Sequence, residues 1–387
     1  MFSFLSLPVE LRLITYAFYL SDIQQVSRNQ QPTNAHYTIL HVCRQIAYEA
    51  GDLANFRSYI SLSYEDQISA FNANVSDQAA SRITHADIAN DARMVGISGM
   101  SAVPASQLYL VLSKLVSLRE LRVFECHRSR PMKDFIPGAR FTLQFEKAMF
   151  PSSETPLLDA YELYLSPFRS STRVFQVMPS DNIKSLRLSG DCGIRTGTKL
   201  PLLSDLTLAG VTGHHLDHHF HEHFAQSHLQ TFQYREGDRS GARFELRDHH
   251  LNSLFGSASR LHKLVLLGCS CLSSSALTLC LSKLEHLHYL ALSFVSVHEP
   301  NVNFITVLPA ALAILKIAWH SSLRVEERKQ LLQSIEQLLM RPPALALLYV
   351  YFSGEDLHME QSRSWSKLAE KRMIELRLGP WDEDEII

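Results

Sequence analysis

Large apolar residues recur along most of this chain as L-x-x-L-x-L, a pattern that puts the last two leucines on one side of an extended segment. It is met at Leu118-x-x-Leu121-x-Val123, Ile183-x-x-Leu186-x-Leu188, Leu203-x-x-Leu206-x-Leu208 and Leu229-x-x-Phe232-x-Tyr234. It returns at Leu261-x-x-Leu264-x-Leu266, Leu287-x-x-Leu290-x-Leu292, Leu312-x-x-Leu315-x-Ile317 and Leu345-x-x-Leu348-x-Val350. From Leu186 the central anchors Leu206, Phe232, Leu264, Leu290, Leu315 and Leu348 follow at steps of 20, 26, 32, 26, 25 and 33 residues. Strand-and-helix units of ~20 to 29 residues cannot bury an apolar face alone and stack on their neighbours. The spacing predicts an α/β solenoid over 104–387, a parallel sheet on its concave face and helices outside. The 65 residues from Leu121 to Leu186 leave room for two more units, with strands expected within 140–150 and at Glu162–Leu165.

Segments 274–287 and 326–340 are amphipathic and predict two of the outer helices, the second stopped by Pro342-Pro343. With the leucines pointing into the core, the residues beside and between them face the concave surface. Glu120, Arg122, Arg187, Asp205, Gln233, Arg235, Lys263, Tyr289, Lys316, Tyr349 and Tyr351 fall there. Arginine and tyrosine dominate binding hot spots, so Arg122, Arg187, Gln233, Arg235, Lys263, Tyr289, Lys316, Tyr349 and Tyr351 form the candidate substrate-binding set. The competing reading is that any strand face needs solvating side chains.

The first sixty residues follow a helical period. Pro8 suits a first helical position, Glu10 sits in the first turn, and Leu11, Ile14 and Phe18 make one apolar stripe. Residues 21–36 are polar, contain Pro32 and predict a loop. A second helix is expected over 39–50, with Cys43, Ile46, Ala47 and Ala50 in helical spacing and Gly51 placed to stop it. Residues 61–103 read as a helical connector.

Two segments, FSFLSLPVELRLITYAFYL and ILHVCRQIAYEA, resemble the opening and closing signatures of fungal F-box and F-box-like domains, through Leu7-Pro8-x-Glu10-Leu11-Arg12 and Val42-Cys43-Arg44. The array beyond is similar to the irregular leucine-rich repeats that often come after an F-box. The resemblance implies a helical module over 1–60 that docks on a Skp-type adaptor of a Skp/cullin/F-box ubiquitin ligase. Leu7, Pro8, Leu11, Ile14, Leu40, Val42 and Cys43 would form the adaptor-facing or module-core surface. The residues beyond the module would then choose the protein substrate, whose identity the resemblance leaves open. The alternative is that both stripes pack on the array as its N-terminal cap, leaving an adaptor-independent scaffold.

Composition narrows the partners. A formal net charge of -2 without a basic run argues against nucleic acid, and no run reaches the ~18 apolar residues of a membrane span. The N-terminus lacks a basic region and does not read as a signal peptide. Six irregularly spaced cysteines read as reduced thiols, which points to cytoplasm or nucleus. Neither phosphate-cradling glycine motif nor G-x-S-x-G is present, so no cofactor and no enzyme activity is expected. The cluster His214, His215, His218, His219, His221 and His223 offers i, i+4 imidazole pairs but not H-E-x-x-H, and is read as a solvated surface rather than a metal site. Trp381 and the acids after it, Asp382 to Glu385, read as a solvated tail.

Overall fold

The computed structural model of the chain describes residues 4–24, 34–51, 53–96, 101–126, 139–152, 155–166, 171–237, 243–255, 260–294, 302–320, 325–340, 345–353 and 359–381. The chain divides into two units, Met1–Ser166 with Ser170–Ile183, and Pro167–Arg169 with Lys184–Ile387. The fold is mixed α/β. Among the described residues, thirteen strands belong to one large open sheet and three to a small antiparallel one.

The first unit opens with helices. A 3-10 turn over Phe4–Ser6 leads into α1 (Val9–Gln24), and a 3-10 helix over Ala35–His41 leads into α2 (Arg44–Gly51) and α3 (Ala54–Ser58). Tyr16, Leu20, Ile46, Ala50 and Phe56 form their shared core, with Leu13, Tyr19, Leu40 and Cys43 packed against it. Part of the expected loop lies in α1, and 25–33 fall outside the described residues.

Strands come next. The unit continues through β1 (Tyr59–Leu62), α4 (Glu65–Asn74), α5 (Asp77–Ala80), β2 (His85–Asn90), β3 (Arg93–Gly96) and β4 (Val103–Pro104). Then come α6 (Leu108–Lys114), β5 (Glu120–Glu125), β6 (Arg140–Leu143), α7 (Phe145–Met149), β7 (Ala160–Tyr164) and β8 (Thr172–Val174). Strands β1, β2, β5 and β7 pair in parallel, in that order. The helical connector expected over 61–103 therefore carries strands as well as helices. Its β2 extends Ile83-x-x-Ala86-x-Ile88, with Ala86 opposite Leu121 and Ile88 opposite Val123, so alanine stands where the pattern expects leucine. The strand expected within 140–150 is β6, but it pairs antiparallel with β3, outside the parallel ladder.

The second unit alternates strands with helices: β9 (Ser185–Ile194), β10 (Asp205–Thr212), α8 (His215–Phe224), β11 (Thr231–Arg235), α9 (Asp248–Phe255), β12 (Lys263–Cys269) and α10 (Ser274–Leu281). It ends with β13 (Tyr289–Phe294), β14 (Ile314–Trp319), α11 (Val325–Met340), β15 (Leu347–Phe352), α12 (Met359–Lys371) and β16 (Glu375–Leu378). All eight strands pair in parallel in chain order. Leu186, Leu206, Phe232, Leu264, Leu290, Leu315, Leu348 and Leu376 are successive register partners, and from Leu186 to Leu348 each is at most 1% exposed. One core row thus crosses the whole unit. Gly190, Gly210 and Gly268 take positive φ two residues past the last anchor of their strands, a conformation open to glycine at little cost. At Gly268 a side chain would also press on the Glu236 Cβ, 3.1 Å away.

Candidate functional site

Helix α1 is apolar on two faces, and only one is used internally. Tyr16 and Leu20 enter the core beside the near-buried Arg12, whereas Leu11, Ile14 and Phe18 stand 49%, 52% and 72% exposed. Leu7, Val9 and Val42 are exposed apolar residues too, and Pro8 is exposed. Of the expected adaptor set, Leu7, Pro8, Leu11, Ile14 and Val42 thus lie open, while Leu40 and Cys43 are half-buried against the module core.

Arg12 holds this arrangement. Its guanidinium grips Glu49 of α2 with Nε to Oε2 at 2.9 Å, and its Nη1 donates to the carbonyls of Leu5, at 3.2 Å, and Leu7. Tyr16 Oη donates to the same carboxylate at 3.0 Å. These charge-assisted bonds, Arg12 first, bring the Glu49 pKa from 4.5 down to about 2.

The module also touches the strands. Asn34 Nδ2 donates to the Ser61 carbonyl at 2.6 Å and its Oδ1 accepts from the Ser61 N–H at 3.0 Å. Tyr37 Oη donates to the Tyr59 carbonyl at 3.0 Å. Both partners lie on β1, the first strand of the ladder.

Six of the expected substrate-binding residues lie on one face of the second unit. Register places Arg187, Gln233, Lys316 and Tyr349 in one row, and Lys263 and Tyr289 in the next. Lys263 Nζ lies 5.3 Å from the Tyr289 ring centroid, and Lys316 Nζ lies 5.9 Å from Tyr289 and 6.0 Å from Tyr349, within cation–π range. Burial and the nearby Lys316 lower the Lys263 pKa. Arg187 is buried, Arg235 and Tyr351 are half-buried, and the Tyr351 ring meets His320 edge-on.

Sequence reasoning missed what covers this face. Trp381, expected in a solvated tail, packs against the apolar cluster Val265, Leu267 and Ala291 and edge-on to Tyr349, ring centroids 5.6 Å apart. The signal was present in β12, whose Leu264-Val265-Leu266-Leu267 is apolar on both faces and so cannot have one in water.

Arg122 belongs to the other unit and to a different arrangement. Its Nε donates to Asp87 Oδ1 at 2.6 Å, and Tyr59 Oη donates to Asp87 Oδ2 at 2.7 Å. Asp87 is 1% exposed and burial raises its pKa despite the arginine. This residue, also missed, makes Arg122 part of an internal network.

Two further groups carry titratable side chains. On α8, the His215 ring lies tilted against His219 and stacked on His223, ring centroids 4.8 and 5.6 Å apart, with His215 Nε2 3.4 Å from His223 Nε2 and the buried His223 bonded through Nδ1 to the Thr198 carbonyl at 3.0 Å. Among the described residues, no group of three or more His, Cys, Asp or Glu side chains is placed to hold a metal ion. In the first unit the buried Glu146 lines a cleft of about 400 Å³ and accepts backbone N–H bonds from Phe175, Val177 and Met178. Three N–H bonds on one carboxylate hold the left-handed Phe175, φ 60°.

All six cysteines are free thiols, and no helix among the described residues is long and apolar enough to cross a membrane. No protein-family model matches the chain, and no curated protein matches it.

Proposed function

We propose that this is a non-catalytic protein-protein interaction subunit, the substrate receptor of a Skp/cullin/F-box-type ubiquitin ligase in cytoplasm or nucleus. The N-terminal module takes a Skp-type adaptor, and the leucine-rich-repeat solenoid takes a protein substrate on the face carrying Lys263, Tyr289, Lys316 and Tyr349. One observation carries the reading. The stripe Leu11, Ile14 and Phe18 stays exposed while Tyr16 and Leu20 of the same helix are buried. Apolar rows of this kind on a folded surface mark contact sites. The F-box resemblance of Leu7-Pro8-x-Glu10-Leu11-Arg12 supplies the partner.

Capture of a purified Skp-type adaptor tests it. The intact chain should retain the adaptor, and a Leu11→Asp/Ile14→Asp chain should lose it while melting normally. Equal capture by the two, or none by the intact chain, overturns the adaptor assignment. The second reading, a scaffold with the helices as its cap, draws on the Asn34 and Tyr37 bonds to β1. It predicts that the double variant changes nothing measurable.

A further inference from the structure

The sheet face that carries Lys316 contains an apolar floor. Val265, Leu267 and Ala291 are completely buried there, on the side of the strands turned away from the leucine row. Strand alternation alone would leave them in water. Trp381, which follows β16, covers them, with the half-buried Tyr289 packed alongside. Tyr349 Oη fixes the approach by donating to the Pro380 carbonyl at 3.0 Å.

This occupant leaves one polar group unmet. The buried indole Nε1–H finds no hydrogen-bond partner among the described residues, although a buried tryptophan normally satisfies that donor. Among the described residues, a direct hydrogen bond to this segment comes from Tyr349. The charges, in contrast, match. Lys263 and Lys316 stand over the tyrosines that flank the floor, and the four residues after Trp381 in the sequence are Asp382, Glu383, Asp384 and Glu385.

We propose that this face is a peptide site for an aromatic residue followed by carboxylates, and that Trp381 occupies it in cis until a partner segment of the same chemistry displaces it. The inference rests on reading this face as the substrate surface and adds what that surface selects. An indole or phenol fills the floor over Val265 and Ala291, and the lysines take the acidic residues that come after it. A partner that also offers an acceptor to the indole N–H, or needs none, outcompetes the resident segment.

Fluorescence anisotropy of a labelled peptide with the sequence of residues 378–387 tests the proposal against the full-length chain. A tethered competitor acts at an effective concentration in the millimolar range, so a Trp381→Ala chain should bind the peptide at least ~10-fold more tightly than the unaltered chain. Added Lys263→Glu and Lys316→Glu should abolish that binding, and a peptide with alanine for tryptophan should not bind. Should Trp381→Ala unfold, a chain with Asp382→Asn, Glu383→Gln, Asp384→Asn and Glu385→Gln leaves the packed indole untouched and should show the same direction of change. Equal affinity of altered and unaltered chains, or indifference to the peptide's tryptophan, overturns the proposal. Adaptor capture measured on the same proteins separates the two readings, since these substitutions lie outside the N-terminal module and should leave it unchanged.

Discussion

Arg12 and Glu49 meet in a two-pronged ion pair, Nε to Oε2 at 2.9 Å and Nη2 to Oε1 at 2.5 Å, that joins the start of α1 to α2. The carboxylate is held near pKa 2 against 4.5 when unpaired. A depressed carboxylate stabilises the fold above its unfolded pKa, and that contribution disappears as protons bind. Helical signal from this module should therefore weaken between about pH 4.5 and 2. A Glu49→Gln chain, titrated by urea midpoint against pH, should be less stable at neutral pH and flatter across that window. An unchanged acid limb would show that the pair contributes nothing.

The two faces of α1 should respond in opposite ways to truncation. Phe18 is 72% exposed and Tyr16 fully buried. Phe18→Ala should alter stability by less than ~0.5 kcal/mol, as surface changes usually do, whereas Tyr16→Ala should cost about 3 to 5 kcal/mol through the cavity it leaves. Chemical denaturation of both variants checks the contrast. A large loss at Phe18 would mean that the stripe is packed against something within the chain.

Two histidines of the second unit are kept neutral by burial. His250, 1% exposed, accepts the Arg247 N–H through Nδ1 at 3.1 Å, and desolvation brings its pKa down to about 4. His223 is lowered by the same cause. The unfolded chain takes up these protons first, so stability is complete above the ordinary 6.5 and declines as pH falls toward 4. A His250→Phe chain should lose part of that decline, read as the pH dependence of its thermal midpoint. A slope identical to that of the unaltered chain would locate the acid sensitivity elsewhere.

Met373 offers a stabilising change. It comes after α12 with φ 57°, is 92% exposed, and precedes Ile374, whose N–H returns to the Ala369 carbonyl at 2.9 Å. That is the helix-ending position where glycine is favoured. Met373→Gly removes a left-handed non-glycine residue without losing any packing and should raise stability by about 0.5 to 1 kcal/mol. A lower denaturation midpoint would contradict it.

The ladder was legible because its evidence is periodic. Anchors from Leu186 to Leu348 fall opposite one another in register, since any slip by one residue would turn a leucine row into water. Where the anchor shrinks to alanine the pattern disappears from view. Ala86 in β2 occupies the same core row as Leu121 and Tyr161, and its strand escaped the pattern, whereas β7, with Tyr161 in that row, was found from the apolar alternation that follows it. The stripe on α1 posed a different problem. Apolar residues lie on both of its faces, so period alone cannot say which one faces the core, and the pairing of Arg12 with Glu49 decides it. The covering of the sheet face that carries Lys263 and Lys316 was hidden for a third reason. Trp381 is one residue beside four acids, and composition weighs the acids.

Asn34 has a consequence for how the chain can be dissected. Its amide gives Ser61 one donor and one acceptor, the same pair a neighbouring strand would offer, and so acts as a counterfeit strand on the outer side of β1. Cutting away the helices would uncover a bare row of strand N–H and C=O groups, an invitation to pair with another copy. A shortened chain would then stick to itself for reasons unrelated to its partners. Single substitutions on the outer face of α1 leave the counterfeit in place, and they are the cleaner instrument.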